Sequence, residues 1–285
     1  MKILITGANG MLAKSVRTRL KEGNELICTD VADLDITNEE AVMNFVKENK
    51  PEYIVNCAAF TAVDKAEEVY DLAEKINANG PANLAKAAKA VDATLVHIST
   101  DYVFNGEGER PWQPDDTVTI PLNEYGYSKY LGEQAVQKYV KDFYIVRIAW
   151  VFGINGKNFV KTMLNVGKNH DTVRVVNDQI GTPTYTFDLA RLLVDMIETD
   201  KYGIYHGTNE GGYISWYDFT CEIYRQAGYT TNVVPVTTEE YGLSKAKRPK
   251  NSRLDKSKLV DNGFKPLPDW KDALARYIEI LNKEN

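Results

Sequence analysis

The 285-residue sequence predicts an α/β fold, a doubly wound parallel sheet with helices on both faces and a smaller C-terminal lobe. Three observations predict it. Short apolar runs alternate with helical periodicity through the first half, a glycine-bearing loop separates the first apolar run from the first helical pattern, and the regularity loosens after about residue 150. Strands that alternate with helices are joined by crossovers, and such connections build βαβ units around a parallel sheet.

Residues 3–6 form the first apolar run, which stops at Gly7 and is followed by an amphipathic pattern over 11–20. Residues 25–29, 53–57, 95–99 and 144–148 read as further strands, with helical patterns in the gaps. The alanine-rich stretch 82–90 is a strong helix former, and Gly80-Pro81 before it reads as a turn or first-turn entry. Beyond residue 150 the segments shorten and turn signals crowd together at Gly211-Gly212, Gly228 and Pro266-Leu267-Pro268. Residues 186–199 are again a good amphipathic helix, so a segment near 180–208 is expected to return to the main sheet.

Hydrophobic residues make up 44% of the chain and the formal net charge is −6. A nucleic-acid partner would require a clustered basic surface, so small molecules are the expected partners. The opening apolar run is too short for a signal peptide and no later stretch could span a bilayer, which points to the cytoplasm and away from a membrane. Cys28, Cys57 and Cys221 lack metal-ligand or redox spacing and are expected to be free, buried thiols. His170 and His206 are scattered; His97 lies inside the apolar run 94–98, where a satisfied core histidine is the expectation.

Gly7-x-x-Gly10-x-x-Ala13 follows a strand and leads into a helix, the context a dinucleotide fingerprint requires. Gly7 permits the tight turn, Gly10 lets backbone approach a pyrophosphate at the positive end of the helix, and small Ala13 permits close packing on the sheet. The simpler alternative is an ordinary strand-to-helix turn. Asp30 ends the second strand, where an acid can accept hydrogen bonds from an adenosine ribose and so favours NADH over NADPH. Asp35-Ile36 could flank the adenine, or Asp35 could cap the helix beginning near Asn38. Small residues in Asn56-Cys57-Ala58-Ala59-Phe60-Thr61 would let a dinucleotide lie close to the backbone, although Ala-Ala is also common core filler. On this reading residues 1–150 form a Rossmann-type dinucleotide-binding domain and 151–285 form mainly a substrate-binding lobe.

Tyr125 and Lys129 are four apart in a helical pattern and so project from one face. The ammonium can lower the phenol's pKa and make it a usable acid for carbonyl reduction. The same spacing also occurs on ordinary solvated helix faces. Ser99 and Thr100 fall at the carboxyl edge of a strand, where the Thr100 hydroxyl can hold a substrate oxygen and complete a Thr-Tyr-Lys constellation.

These residues resemble the extended, nucleotide-sugar-modifying branch of the short-chain dehydrogenase/reductase superfamily. The resemblance runs nearly end to end, through 56–59 with 61–67, 99–104, Pro121-Leu122-Asn123-x-Tyr125-Gly126-x-Ser128-Lys129, Arg147-x-x-Trp150, Asp178-Gln179-x-Gly181 and Arg248-Pro249-x-Asn251-Ser252. It implies that Thr100, Tyr125 and Lys129 are catalytic, and that Gly7, Asn9, Gly10, Met11, Leu12, Asp30, Asp35, Ile36, Ala58, Ala59, Thr61 and Asn77 surround NADH or NADPH together with Tyr125 and Lys129. Val103, Phe104 and Trp150 would line a sugar pocket, with Gln179 and Arg248 near the nucleotide end. An Arg fork suits a diphosphate. Plain core packing for Trp150 and a solvated surface for Arg248 are the alternatives.

In related dehydratases an acid usually follows the matching Thr-Asp, whereas this chain has Tyr102. A dehydratase must shuttle a proton beside the keto carbon, for which a Tyr is a poor replacement. The resemblance therefore implies reduction of the 4-keto group of a dTDP-linked 6-deoxy-L-sugar. An epimerase, another ketosugar reductase or a noncatalytic dinucleotide-binding regulatory subunit would use the same scaffold. Some members are magnesium-bridged dimers; here Ser15 stands where one of the acids would be, so no metal is predicted, while a homodimer remains compatible.

Overall fold

The computed structural model describes residues 1–284. Its centre is a six-stranded sheet built from β1 (Lys2–Thr6), β2 (Glu25–Thr29), β3 (Tyr53–Asn56), β4 (Thr94–Thr100), β5 (Phe143–Ile148) and β6 (Gly203–His206). The strand order is β6-β5-β4-β3-β1-β2 and every pairing is parallel. Strands buried on both faces read as near-continuous apolar runs, which is why they stand out in the sequence.

Successive side chains point to opposite faces of a strand, and each face has its own core. Ile3, Ile5, Val96 and Val146 pack beneath α1 (Met11–Leu20), while Leu4, Ile54, Leu95 and Ile145 pack on the other side. That second face is covered by α2 (Glu39–Asn49), α3 (Gly80–Ala90) and α4 (Glu124–Tyr139). A fifth flanking helix, α5 (Thr186–Ile197), lies on the α1 face with Leu189, Leu192, Leu193 and Met196 buried, and leads into β6 at the sheet edge.

Gly80-Pro81 is not a turn. The chain runs from helix Tyr70–Glu74 through a π-helical turn, Lys75–Asn79, straight into α3, and Pro81 sits in the first turn of α3, as a first-turn entry would place it. The wide turn brings the Asn77 carbonyl against Gly132 of α4, where an added Cβ would lie only 2.2 Å from that oxygen. Gly132→Ala is therefore expected to destabilise the protein by about 1–3 kcal/mol through overpacking. A urea midpoint equal to that of the unsubstituted protein would show that the two helices can part freely.

After β5 the chain leaves the sheet at Trp150, which holds a left-handed φ of 49°. The remaining small pairings are Val151–Phe152 with Thr184–Tyr185, Ile180–Gly181 with Ile214–Ser215, and Thr172–Val176 with Asn232–Val236. Helices Phe159–Asn169, Trp216–Ala227 and Trp270–Glu284 close over an aromatic core of Phe152, Tyr185, Phe219, Trp270 and Tyr277. Cys28, Cys57 and Cys221 are free, and their residues are partly rather than fully buried. Among the described residues no helix is long and apolar enough to cross a membrane.

Candidate active site

Strand order reverses between β1 and its neighbour β3, and ligands of open α/β sheets bind at the carboxyl ends beside such a point. Gly7 ends β1 with φ +62°, and a Cβ there would lie 2.7 Å from Ala58 backbone atoms. Only glycine allows this loop to press against the segment that follows β3. Gly10 is the N-cap of α1 and supplies no side-chain cap, so the first-turn N–H groups stay open. Uncapped donors at a helix N-terminus fit a pyrophosphate. Ala13, fully buried, packs the helix on the sheet as its size implies.

Asp30 braces this loop: its carboxylate accepts from Asn9 N at 3.1 Å and Val31 N at 2.9 Å. With Gly7, Asp35, Ile36, Ala58 and Ala59 it lines a cavity of about 470 Å³. Asp35 does not cap α2. Asn38 does so, accepting from Ala41 N at 3.0 Å, while Asp35 accepts from Thr37 N and is held below the usual carboxylate range by that bond.

A second cavity, about 500 Å³, begins at Gly10, Met11 and Leu12 and contains Thr61, Thr100, Tyr125, Lys129 and Trp150. Asn123 caps α4 by accepting from Gly126 N at 2.8 Å, which starts the helix so that Tyr125 and Lys129 face inward one turn apart. Thr100 is 5% exposed, donates to Asp101 Oδ1 at 3.1 Å and accepts from Tyr102 N. Burial pushes Asp101 up to about 6.

Burial, more than any neighbouring charge, sets the proton affinity of the phenol. Burial pushes Tyr125 up to about 12; Thr100 works against the rise and Asp101 adds to it. Lys129, 2% exposed, donates from Nζ to Ile98 O at 2.6 Å, and burial lowers its pKa to about 8. That bond takes one of the Nζ protons and leaves the others free to meet a ligand.

Some residues implied by the resemblance do not reach a cavity. Val103 and Phe104 are 0% and 1% exposed: Phe104 stacks on Trp112 at 4.6 Å and meets His206 edge-on, so both serve as core. Asn77 is fully buried; its amide accepts from Phe60 N and donates to Phe60 O and Ser128 Oγ. It holds the loop after β3 in place and has no donor left for a ligand. Asn9 is exposed at the rim, with its backbone committed to Asp30. Ser15 donates to Thr186 Oγ1 at 3.1 Å, tying α1 to α5.

Trp216 lines the second cavity and was not among the candidates read from the sequence. It stacks on Trp150 at 3.8 Å and 17°, and the pair forms one wall of the second cavity. The Ser215 and Asp218 capping box marks the start of this helix, but nothing local shows that its first residue faces a cavity. Trp216 and Tyr102 also border a third cavity of about 380 Å³ that holds Gln179 and Arg248. Gln179 donates to Thr238 Oγ1 at 3.1 Å, and Arg248 donates to Asp64 Oδ2 at 2.7 Å. A wider cleft of about 590 Å³ lies beyond Arg248, between 105–109 and 247–253, and contains none of Thr100, Tyr125 and Lys129.

Residues 1–283 match the family described as the RmlD substrate binding domain. The chain belongs to this family. It is 42% identical to a dTDP-4-dehydrorhamnose reductase of Streptomyces griseus, covering 98% of this chain and 93% of that protein. A crystal structure of a dTDP-4-dehydrorhamnose reductase from Clostridium acetobutylicum superimposes with a TM-score of 0.96 at 51% identity, over 99% of this chain and 100% of that one. The Bacillus anthracis reductase, solved in complex with NADP, gives 0.94 at 44% identity, over 97% and 98% of the two chains. This RmlD-family chain thus shares its whole length with reductases of a nucleotide-linked sugar, and the central parallel sheet is theirs as well.

Proposed function

We propose that this protein is an NAD(P)H-dependent oxidoreductase that reduces the 4-keto group of dTDP-4-dehydro-6-deoxy-L-mannose to give dTDP-L-rhamnose. The observation that carries this reading is the convergence of Thr100, Tyr125 and Lys129 on one cavity. That cavity opens from the phosphate loop and shares Tyr102 and Trp216 with the cavity of Gln179 and Arg248. Such an order matches a donor, a reacting sugar and a nucleotide laid end to end. The dinucleotide, when bound, supplies the hydride.

The other roles belong to the chain. Gly7, Gly10 and the open N–H groups of α1 receive a pyrophosphate, while Asp30, Asp35 and Ile36 face an adenosine. Thr100 holds the substrate oxygen by turning its hydroxyl proton from Asp101 to that oxygen, and Tyr125 delivers the proton to it. Lys129 binds ribose and exchanges protons, and the Trp150–Trp216 wall fixes the sugar beside Tyr125. Arg248 and Gln179 take the nucleotide end. In this division 1–150, completed by 180–208, binds the cofactor and most of 151–285 shapes the substrate site.

Asp30 favours free ribose hydroxyls and hence NADH, whereas the B. anthracis relative holds NADP. Both cofactors therefore enter the test. Purified protein given the dTDP-4-keto-L-sugar is expected to consume NADH, NADPH or both, followed by absorbance. Oxidation of neither would overturn the assignment.

A further inference from the structure

A hydrogen-bond chain of fixed polarity runs beneath the active site and ends at Lys129. Its starting point admits one direction only, because the Ala58 backbone N–H can only donate, and it does so to Asn56 Oδ1 at 3.1 Å. Thr6 Oγ1 donates to the same oxygen at 2.7 Å. These two bonds orient the Asn56 amide, so its NH₂ group faces His97 Nδ1, 3.1 Å away. An amide nitrogen carries hydrogens and no available lone pair, so Nδ1 accepts. The remaining proton of a neutral imidazole then sits on Nε2.

That Nε2 lies 3.5 Å from Lys129 Nζ, at the outer edge of hydrogen bonding. His97 is fully buried, and burial together with Lys129 holds it well below its ordinary pKa, so it presents an N–H to the lysine. An ammonium has nothing to offer an N–H donor; a neutral amine has a lone pair. Ile98 O accepts from either form at 2.6 Å. Among the other titratable groups around Lys129, Glu133 favours the cation, but burial outweighs it and lowers the amine's pKa. Cys57, from the segment after β3, is pushed by burial up to about 12 and stays a neutral thiol. Glu133, one turn along α4, is held by Arg147 Nε and Nη2 at 2.9 and 2.7 Å and accepts from Ser99 Oγ, so its charge is already matched. Tyr125, one turn back on α4, is protonated near neutrality.

We propose that His97 is a positioning residue: by donating from Nε2, in a tautomer imposed by Asn56, it stabilises the neutral amine of Lys129 and so makes that lysine able to give up and regain a proton near neutral pH. The role rests on Lys129 being the lysine of the reaction, but the contact itself does not. It also gives a reason for a buried histidine in the middle of an apolar strand, where a purely structural position would be filled by an aliphatic residue at lower desolvation cost.

The test reads two signals in the intact protein without turnover. With ¹⁵N-labelled histidine, nitrogen chemical shifts are expected to show His97 as the Nε2–H tautomer through neutral pH. The Nδ1–H tautomer, or a protonated ring, would overturn the proposal, and this reading needs no variant that must fold. With lysine labelled with ¹³C at Cε, Lys129, identified by the signal lost in Lys129→Met, is expected to titrate near pH 8. His97→Leu removes the donor and should raise the proton affinity of Lys129 about tenfold, one pKa unit; His97→Gln, which restores an N–H, should reverse most of that change. An unchanged midpoint in a folded His97→Leu variant would also refute it. Should Tyr125 and Lys129 prove dispensable for turnover, the catalytic reading fails while these two measurements still decide the coupling.

Discussion

Tyr125→Phe is expected to lower turnover by about 10²–10⁴-fold, the usual value of a positioned general acid, with cofactor affinity close to that of the unsubstituted protein. The phenol lines the cavity that opens from Gly10, and burial pushes its pKa up to about 12, so the proton is present throughout the neutral range. Phe keeps the ring, and with it the edge contact to Tyr102 at 5.6 Å and 75°, so only the hydroxyl is removed. The measurement pairs kcat for the keto-sugar with a direct titration of NADH or NADPH binding. Near-normal turnover would remove Tyr125 from the acid's role. A parallel loss of cofactor binding would instead mean that the hydroxyl holds the dinucleotide.

Arg147→Met carries the largest expected effect on stability. Arg147 and Glu133 are 2% and 0% exposed at the side chain and join in a two-pronged ion pair across β5 and α4. Arg147 also donates to Pro114 O at 3.1 Å and lies over the Phe104 ring. Removing one partner of a buried pair strands the other charge and costs about 3–5 kcal/mol, whereas replacing both with apolar residues is often near neutral. Arg147→Met should therefore lower the urea midpoint far more than Glu133→Leu combined with Arg147→Met. Equal midpoints for the single and the double variant would show that the Glu133 charge finds another partner when Arg147 is gone.

Much of the fold was legible because its signals are local. β1, β3, β4 and β5 are buried on both faces, so their apolar runs needed no partner to be recognised, and their ends fell within a residue of the expected ones. Gly7, Gly10 and Ala13 act through backbone shape and small size at fixed spacing, and Tyr125 and Lys129 through one helical turn. Each of these is written within a few residues of chain.

Other features rest on contacts between distant segments. Asn77 is committed to Phe60 by a π-helical turn that no composition signals, and Trp216 reaches Trp150 only because both pack against one aromatic cluster built from distant segments. Val103 and Phe104 follow Thr100 directly, yet a short 3₁₀ turn at Asp101–Val103 carries them into the core.

The amino-acid sequence by itself determined the parallel sheet, the phosphate loop and which tyrosine and lysine stand together, since periodicity and short spacing set all three. Only the tertiary structure decided what those groups experience. Burial raises the Tyr125 phenol and lowers the Lys129 amine, and the lysine faces a β4 carbonyl and His97 while the phenol lies beside Thr100. The proton affinity of a side chain depends on the solvent and charges around it, and here those come from strands far apart in the chain.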